Sequence, residues 1–266
     1  MNVLITGIAS GIGRATADLF LEQGHTVFGI DRSPVPEQEK LHSFAADITR
    51  EAELLSVVQQ LSHAGIRLDA IINIAGIHIM TSLVEGAWPR MQKTVEVNLS
   101  GTMLVNRVFH SFLREKGRIL IVTSEVAGFD PVPFNGLYSV TKTALEAYAQ
   151  ALRQELNLLG QTVVTVRPGA VETPLSTGSV QATQALADST VLYKDQARRF
   201  VRIANAFMGK PISPETLAKL IYKAATVRDP RLSYRKNANP GLVLLSWLPK
   251  RWQCAVIKWL LNTKFL

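Results

Sequence analysis

The sequence predicts a doubly wound α/β fold, a parallel sheet of about seven strands with helices on both faces. Two observations carry this. Short apolar runs alternate with longer helical patterns from the first residues onward, and a glycine-rich turn, "TGIASGIG" at residues 6 to 13, links the first apolar run to the first helical pattern. Strands are expected near 2–6, 26–31, 69–74, 118–124 and 162–167, with a weaker one near 43–46; helices are expected near 11–24, 50–64, 90–115 and 138–159. That alternation implies right-handed crossovers between parallel strands. The rhythm breaks after Pro168. Residues 172–212 read as an insertion placed where it can cover a ligand, before "SPETLAKLIYKAA" resumes as a helix with Ser213 as N-cap and Pro214 in its first turn. The expected organisation is one domain over residues 1–235, including this insertion, and a basic amphipathic tail over 236–266.

Composition narrows the function. With 266 residues, 47% of them apolar, the chain can bury a substantial core, which excludes disorder as its overall state. The formal charge of +8 invites a nucleic-acid reading, but residues 228–266 hold a net of +7 and residues 1–227 only +1. The main body is nearly neutral, so no nucleic-acid partner is expected. The single Cys254 has no partner for an internal disulfide, and no basic leader precedes Val3, Leu4 and Ile5; a cytoplasmic location is the expectation. The five histidines and one cysteine have no metal-ligand spacing, and no Ser/His/Asp arrangement emerges.

The glycines sit where a dinucleotide site of the Rossmann type needs them. Gly7 permits a tight turn, Gly11 lets the backbone approach a pyrophosphate, Gly13 allows close helix packing, and the helix N-terminus favours phosphate charge. The second strand ends in Asp31, 18 residues beyond Gly13, where a carboxylate can accept from the adenosine ribose. Asp31 points to NAD; Arg32 beside it could attract the ribose phosphate of NADP.

Several motifs in order then resemble the short-chain dehydrogenase/reductase family over residues 2 to about 230. They are Thr6-Gly7-x-x-x-Gly11-x-Gly13; Asp47 in "AADIT"; "NIAG" with Asn73, Ala75 and Gly76, where Ile74 replaces the family's second Asn; Asn98 in "VNLSG"; Ser124 in "IVTSEVAG"; Tyr138 and Lys142 in "YSVTK"; and "RPGAVET" with Pro168, Gly169 and Thr173. The resemblance implies a Rossmann-type catalytic domain with Asn98, Ser124, Tyr138 and Lys142 as catalytic residues. It implies that Asp47 contacts adenine, that Thr173 holds the nicotinamide carboxamide, and that Ser10, Ile12, Ile48 and Val171 also border the cofactor. It further implies a homodimer or homotetramer joined through the helices carrying Asn98 and Tyr138.

The chemistry fits the spacing. Oxidising an alcohol by hydride transfer requires removal of the hydroxyl proton, and tyrosine, with a pKa of about 10, is a poor base at neutral pH. Lys142, one helical turn from Tyr138, is expected to favour the phenolate and, by the resemblance, to bind the nicotinamide ribose. Ser124 is expected to stabilise charge developing on the substrate oxygen, and Asn98, by the resemblance, to organise a water linking Lys142 to solvent.

The substrate side is less determined. Val126, Pro133, Phe134, Leu137 and the stretch from Leu192 to Met208 would border the site; Val201, Ile203, Phe207 and Met208 read either as a lid over a hydrophobic substrate or as helix core. Arg198, Arg199 and Arg202 read as an anion subsite or a solvated face. The segment "PVPFNGLYSVTKTALE" most resembles the hydroxysteroid and retinol dehydrogenases, which implies an apolar secondary alcohol or its ketone as substrate. A 3-oxoacyl-thioester reductase using NADPH, and a non-catalytic dinucleotide sensor, are the alternatives. In the tail, Trp252, Val256, Trp259, Leu260 and Phe265 recur at helical spacing with Lys250, Arg251, Lys258 and Lys264 nearby. Such a helix either packs on protein or lies on an anionic membrane; the run Leu242 to Leu248 is too short to span one.

Overall fold

The computed structural model describes residues 1–173, 186–187, 190–207 and 210–263. Among these, seven strands form one sheet: β1 (Asn2–Thr6), β2 (Thr26–Asp31), β3 (Leu41–Ala45), β4 (Leu68–Asn73), β5 (Leu113–Val122), β6 (Thr162–Pro168) and β7 (Ser233–Lys236). Their order is β3-β2-β1-β4-β5-β6-β7 and every neighbouring pair is parallel. The helices are α1 (Gly11–Glu22), α2 (Glu51–His63), α3 (Trp88–Val95), α4 (Thr102–Phe109), α5 (Gly136–Asn157), α6 (Lys194–Phe207), α7 (Pro214–Thr226), α8 (Pro240–Ser246) and α9 (Lys250–Asn262).

The two-residue period of the strands sorts their side chains between two cores. Leu4 of β1, Ile71 of β4 and Ile119 and Ile121 of β5 join Leu54, Val105, Phe109 and Leu145 from α2, α4 and α5. Val3, Ile5, Ala70, Ile72, Leu120 and Val122 point the other way, onto Ala17 and Phe20 of α1 and Leu217 and Ile221 of α7. Both faces are dry, which is why these strands are apolar at nearly every position. Each such side chain contributes about 1.5–3 kcal/mol on full burial.

Three elements depart from the expectation. The single helix foreseen over 90–115 is α3, then a π-helical segment at Glu96–Gly101, then α4 and a 3-10 turn at His110–Phe112. The wider turn carries Asn98, which is fully buried. Strand β5 starts at Leu113 rather than 118 because Leu113 pairs with Leu68 before the register shifts; the polar "REKG" between, with Lys116 at a φ of +64°, does not read as a strand. Strand β7 has one buried side chain, Tyr234, too little apolar pattern to be located from sequence. The weak strand near 43–46 is β3, at the opposite edge.

One ion pair fixes α5 against the sheet next to the reactive loops. Arg167 of β6 donates to Glu146 of α5 through Nε at 2.7 Å and Nη2 at 2.6 Å, and Thr123 Oγ1 donates to the same carboxylate at 2.6 Å. Burial opposes ionisation of Glu146, but the bonds from Arg167 and Thr123 outweigh it and hold its pKa below the ordinary 4.5. Arg167→Ala leaves this carboxylate without its cation and is expected to cost about 2–3 kcal/mol in a denaturant titration at pH 7. The depressed pKa contributes stability above pH 4.5 that disappears as pH falls through the folded-state value, so the gap between wild type and variant should close in acid.

Candidate active site

The order reverses between β1 and β4, and the crevice at their C-terminal ends is where a ligand of such a sheet binds. Thr6 and Asn73 lie level there. Thr6 Oγ1 accepts from the backbone N–H of Ile74 at 3.1 Å and of Ala75 at 3.2 Å, so the loop after β4 is tied to the end of β1. Gly7 follows at a φ of +81°, where a side-chain carbon would stand 3.0 Å from Ala75 Cα; one on Gly13 would stand 1.9 Å from the Gly7 carbonyl oxygen. No larger residue fits either place.

This turn forms one wall of a cleft of about 260 Å³, with Gly7, Ser10, Gly11, Ile12 and Gly13 along it. Asp31, Arg32, Asp47, Ile48, Ala75, Gly76 and Thr173 also line it. Glycine backbone at a helix start and a carboxylate opposite fit an adenine dinucleotide. Asp31 is pinned: Ala9 N–H donates to Oδ2 at 3.0 Å and Ser33 N–H to Oδ1 at 2.9 Å. Arg32 is exposed. Burial opposes ionisation of Asp47, but Thr49 and the Lys93 ammonium, 3.4 Å from Oδ2, hold its pKa below 3.8. Thr6 and Asn73 lie beneath the cleft; Asn73 Nδ2 donates to Asn106 Oδ1 at 2.8 Å and to the Leu120 carbonyl at 3.3 Å.

Through Ile12, Ile74, Gly76 and Thr173, which line both, the cleft adjoins a cavity of about 750 Å³. Ser124, Tyr138 and Lys142 line it, as do Pro168, Gly169 and Val171. Tyr138 and Lys142 stand one turn apart on α5, with Nζ 5.7 Å from the phenol ring centroid. Nζ donates to the Val122 carbonyl at 3.1 Å, which anchors the ammonium to the end of β5. Asn98 sits behind them: Oδ1 accepts from Ile77 N–H at 2.8 Å, and Nδ2 donates to the Ile77 carbonyl at 2.8 Å and to Thr141 Oγ1 at 3.2 Å.

The electrostatics differ from the expectation that Lys142 lowers the pKa of Tyr138. Burial pushes the phenol up to about 12; the Ser124 hydroxyl opposes this and the Glu125 charge adds to it. Burial likewise pushes Lys142 down to about 8. Burial thus favours the protonated phenol.

Several cavity residues carried no sequence signal. His78 packs edge-on to Tyr138 with centroids 4.5 Å apart, and its Nε2 donates to Asn135 Oδ1 at 2.8 Å. Burial holds its pKa below 6.5, so the imidazole is neutral at pH 7. Glu125, Asn237 and Asn239 also line the cavity. Opposite them, Phe200, Ile203 and Ala204 of α6, Leu242, Leu244 and Leu245 of α8, and Val256, Ile257 and Leu260 of α9 make an apolar wall. The tail thus packs on α6: Arg199 Nη1 donates to the Leu261 carbonyl at 2.8 Å, while Gln253 reaches Asp130 Oδ2 at 3.0 Å and Lys250 reaches Asp130 Oδ1 at 3.2 Å. Val126 and Pro133 line the cavity and Phe134 packs against Phe200, whereas Leu137 is buried and does not line it. Val201, Arg198 and Arg202 do not line it. Met208, Lys264, Phe265 and the side chain of Phe207 lie outside the described residues.

A glycine-lined dinucleotide cleft opening on a tyrosine-lysine pair defines a nicotinamide-dependent oxidoreductase. A family model for short chain dehydrogenase matches residues 1–184, and the chain belongs to that family. A 3-ketodihydrosphingosine reductase from Bacteroides thetaiotaomicron is 28% identical over 254 residues, covering 93% of each chain. A 2,3-dihydro-2,3-dihydroxybenzoate dehydrogenase from Escherichia coli is 31% identical over 65% of this chain and 71% of its own. A short chain dehydrogenase family protein from Francisella tularensis superposes with a TM-score of 0.75 at 23% identity, over 88% of this chain and 96% of its own. These similarities establish family and fold, and not the hydroxysteroid and retinol branch expected above.

Tyr138→Phe removes the phenolic hydroxyl and keeps the ring. It is expected to retain dinucleotide binding, measured by nicotinamide fluorescence, while turnover falls by about 10²–10⁴. Turnover within a few-fold of wild type would remove Tyr138 from proton transfer.

Proposed function

We propose that the protein is an NADH-dependent reductase converting an apolar, long-chain ketone to its secondary alcohol. The observation that carries this reading is the cavity, polar where Ser124, Tyr138 and Lys142 meet and apolar along α6, α8 and α9. The bound nicotinamide supplies the hydride. Tyr138 gives its hydroxyl proton to the carbonyl oxygen, and Ser124 Oγ–H donates a hydrogen bond to that oxygen as its negative charge grows. Lys142, held by Val122, places a positive charge beside the phenol and replaces its proton; Asn98 positions the loop at Ile77. Carbonyl reduction consumes the protonated phenol, which is the form that burial favours. The pinned Asp31 carboxylate favours NADH over NADPH. The relative named as a 3-ketodihydrosphingosine reductase, aligned over 93% of the chain, supports a keto lipid as substrate.

Two measurements test this. Parallel titration with NADH and NADPH should give tighter NADH binding. NADH oxidation should then be followed against long-chain ketones, 3-ketodihydrosphingosine, steroids, retinoids and short 3-oxoacyl thioesters. Turnover confined to the thioesters, with NADPH preferred, would replace this reading by that of a thioester reductase.

The same reading takes an anionic lipid surface as the source of the substrate. Trp247, directly after α8, and Trp252 and Trp259 of α9 are 76%, 64% and 63% exposed, beside exposed Lys250, Arg251 and Lys258. Leu244 and Leu248 are exposed and also line the cavity, which supports a mouth on this face. No helix among the described residues is long and apolar enough to cross a membrane, so the contact is interfacial. In flotation assays the protein should rise with vesicles containing phosphatidylglycerol and stay down with phosphatidylcholine alone, and a variant with all three tryptophans changed to Ser should stay down with both. Flotation that survives in the variant would defeat the idea.

A further inference from the structure

Where the cavity is polar it holds a carboxylate that the proposed chemistry leaves without a role. Glu125 follows Ser124 directly, in the 3-10 turn Glu125–Gly128, and is the only acidic side chain among the described residues that line the cavity. Its Oε2 accepts from the Asn239 backbone N–H at 2.5 Å, at the start of α8. Its Oε1 lies 3.2 Å from where a side-chain carbon on Gly169 would stand, a place that the Asn237 carbonyl oxygen already fills. Among the described residues no Lys, Arg or His makes an ion pair with it; the neighbouring Arg167 is held by Glu146.

The negative charge is unfavourable here because burial raises the pKa of Glu125, an effect that the Asn239 N–H bond opposes. That bond is charge-assisted and favours the carboxylate, but it engages Oε2 alone. A cation brought into the cavity would offset the burial of the charge, and it would leave when the ligand leaves.

We infer that Glu125 forms a cation subsite that receives a protonated primary amine carried by the substrate close to its reacting carbonyl. Ser124 and Glu125 are consecutive, so the oxygen reduced and the ammonium bound are held within a few bonds of each other on one ligand. The apolar wall takes the chain that extends from them. The substrate class becomes a long-chain amino ketone, an inference that rests on the proposed ketone reduction.

Two readouts separate this inference from that reduction. In calorimetric titrations of the NADH-saturated protein at pH 7, decan-1-amine should bind about tenfold or more tightly than decan-1-ol, as expected for a charge-assisted hydrogen bond, and Glu125→Gln should abolish the preference. Equal binding in the wild type, or a preference that persists in Glu125→Gln, overturns the subsite whether or not any ketone is reduced. In turnover, the ratio of kcat/KM for a long-chain 2-amino ketone to that for the matched ketone without the amine should fall about tenfold or more in Glu125→Gln. A loss shared equally by both substrates would assign Glu125 to the anchoring of α8 alone. Absence of turnover with either ketone would reject the reductase reading and leave the binding comparison to decide on the subsite.

Discussion

The hydroxyl of Thr6, accepting two backbone N–H groups from the loop after β4, is the contact on which the rest of the site depends. It closes the sheet at the point where strand order reverses and holds that loop against the first turn. Gly7 then has Ala75 so near that no side chain fits. One residue further, a side-chain carbon on Gly76 would stand 3.2 Å from Asn98 Oδ1 and 3.6 Å from Lys142 Nζ. Asn98 in turn grips Ile77 through both its amide atoms. The dinucleotide cleft and the Tyr138–Lys142 end of the cavity thus meet at one short segment, residues 73–77. Ile74, which replaces the family's second Asn, contributes its backbone N–H to Thr6 and lines both cavities.

Much of this was legible because it is written locally. The apolar runs of β1, β4, β5 and β6 follow from burial on both faces, the glycines from a turn that admits nothing larger, and the Tyr138–Lys142 spacing from one helical turn. What escaped depends on contacts distant in sequence. The π-helical segment at Asn98 is invisible to a 3.6-residue period. Strand β7 is fixed by pairing with β6 and not by its own composition. His78 and Glu125 belong to the cavity only because α5, β6 and the tail converge there. The charge count located the basicity correctly but says nothing of the tail's inner face, which closes the cavity.

That inner face bears directly on the chemistry. Tyr138 is pushed up, Lys142 and His78 down and Glu125 up, and in each case burial is the largest cause. All four groups are therefore moved toward their neutral forms by the same exclusion of water. Leu245 of α8 and Val256, Ile257 and Leu260 of α9 line the cavity that these groups share. In such surroundings Coulomb forces act at an effective dielectric several times below that of water. A charge carried in by a cofactor or substrate is then felt strongly by a phenol otherwise held in its protonated form. The tail lines the cavity that holds these groups, and its amphipathic pattern turns leucines toward that cavity and tryptophans outward.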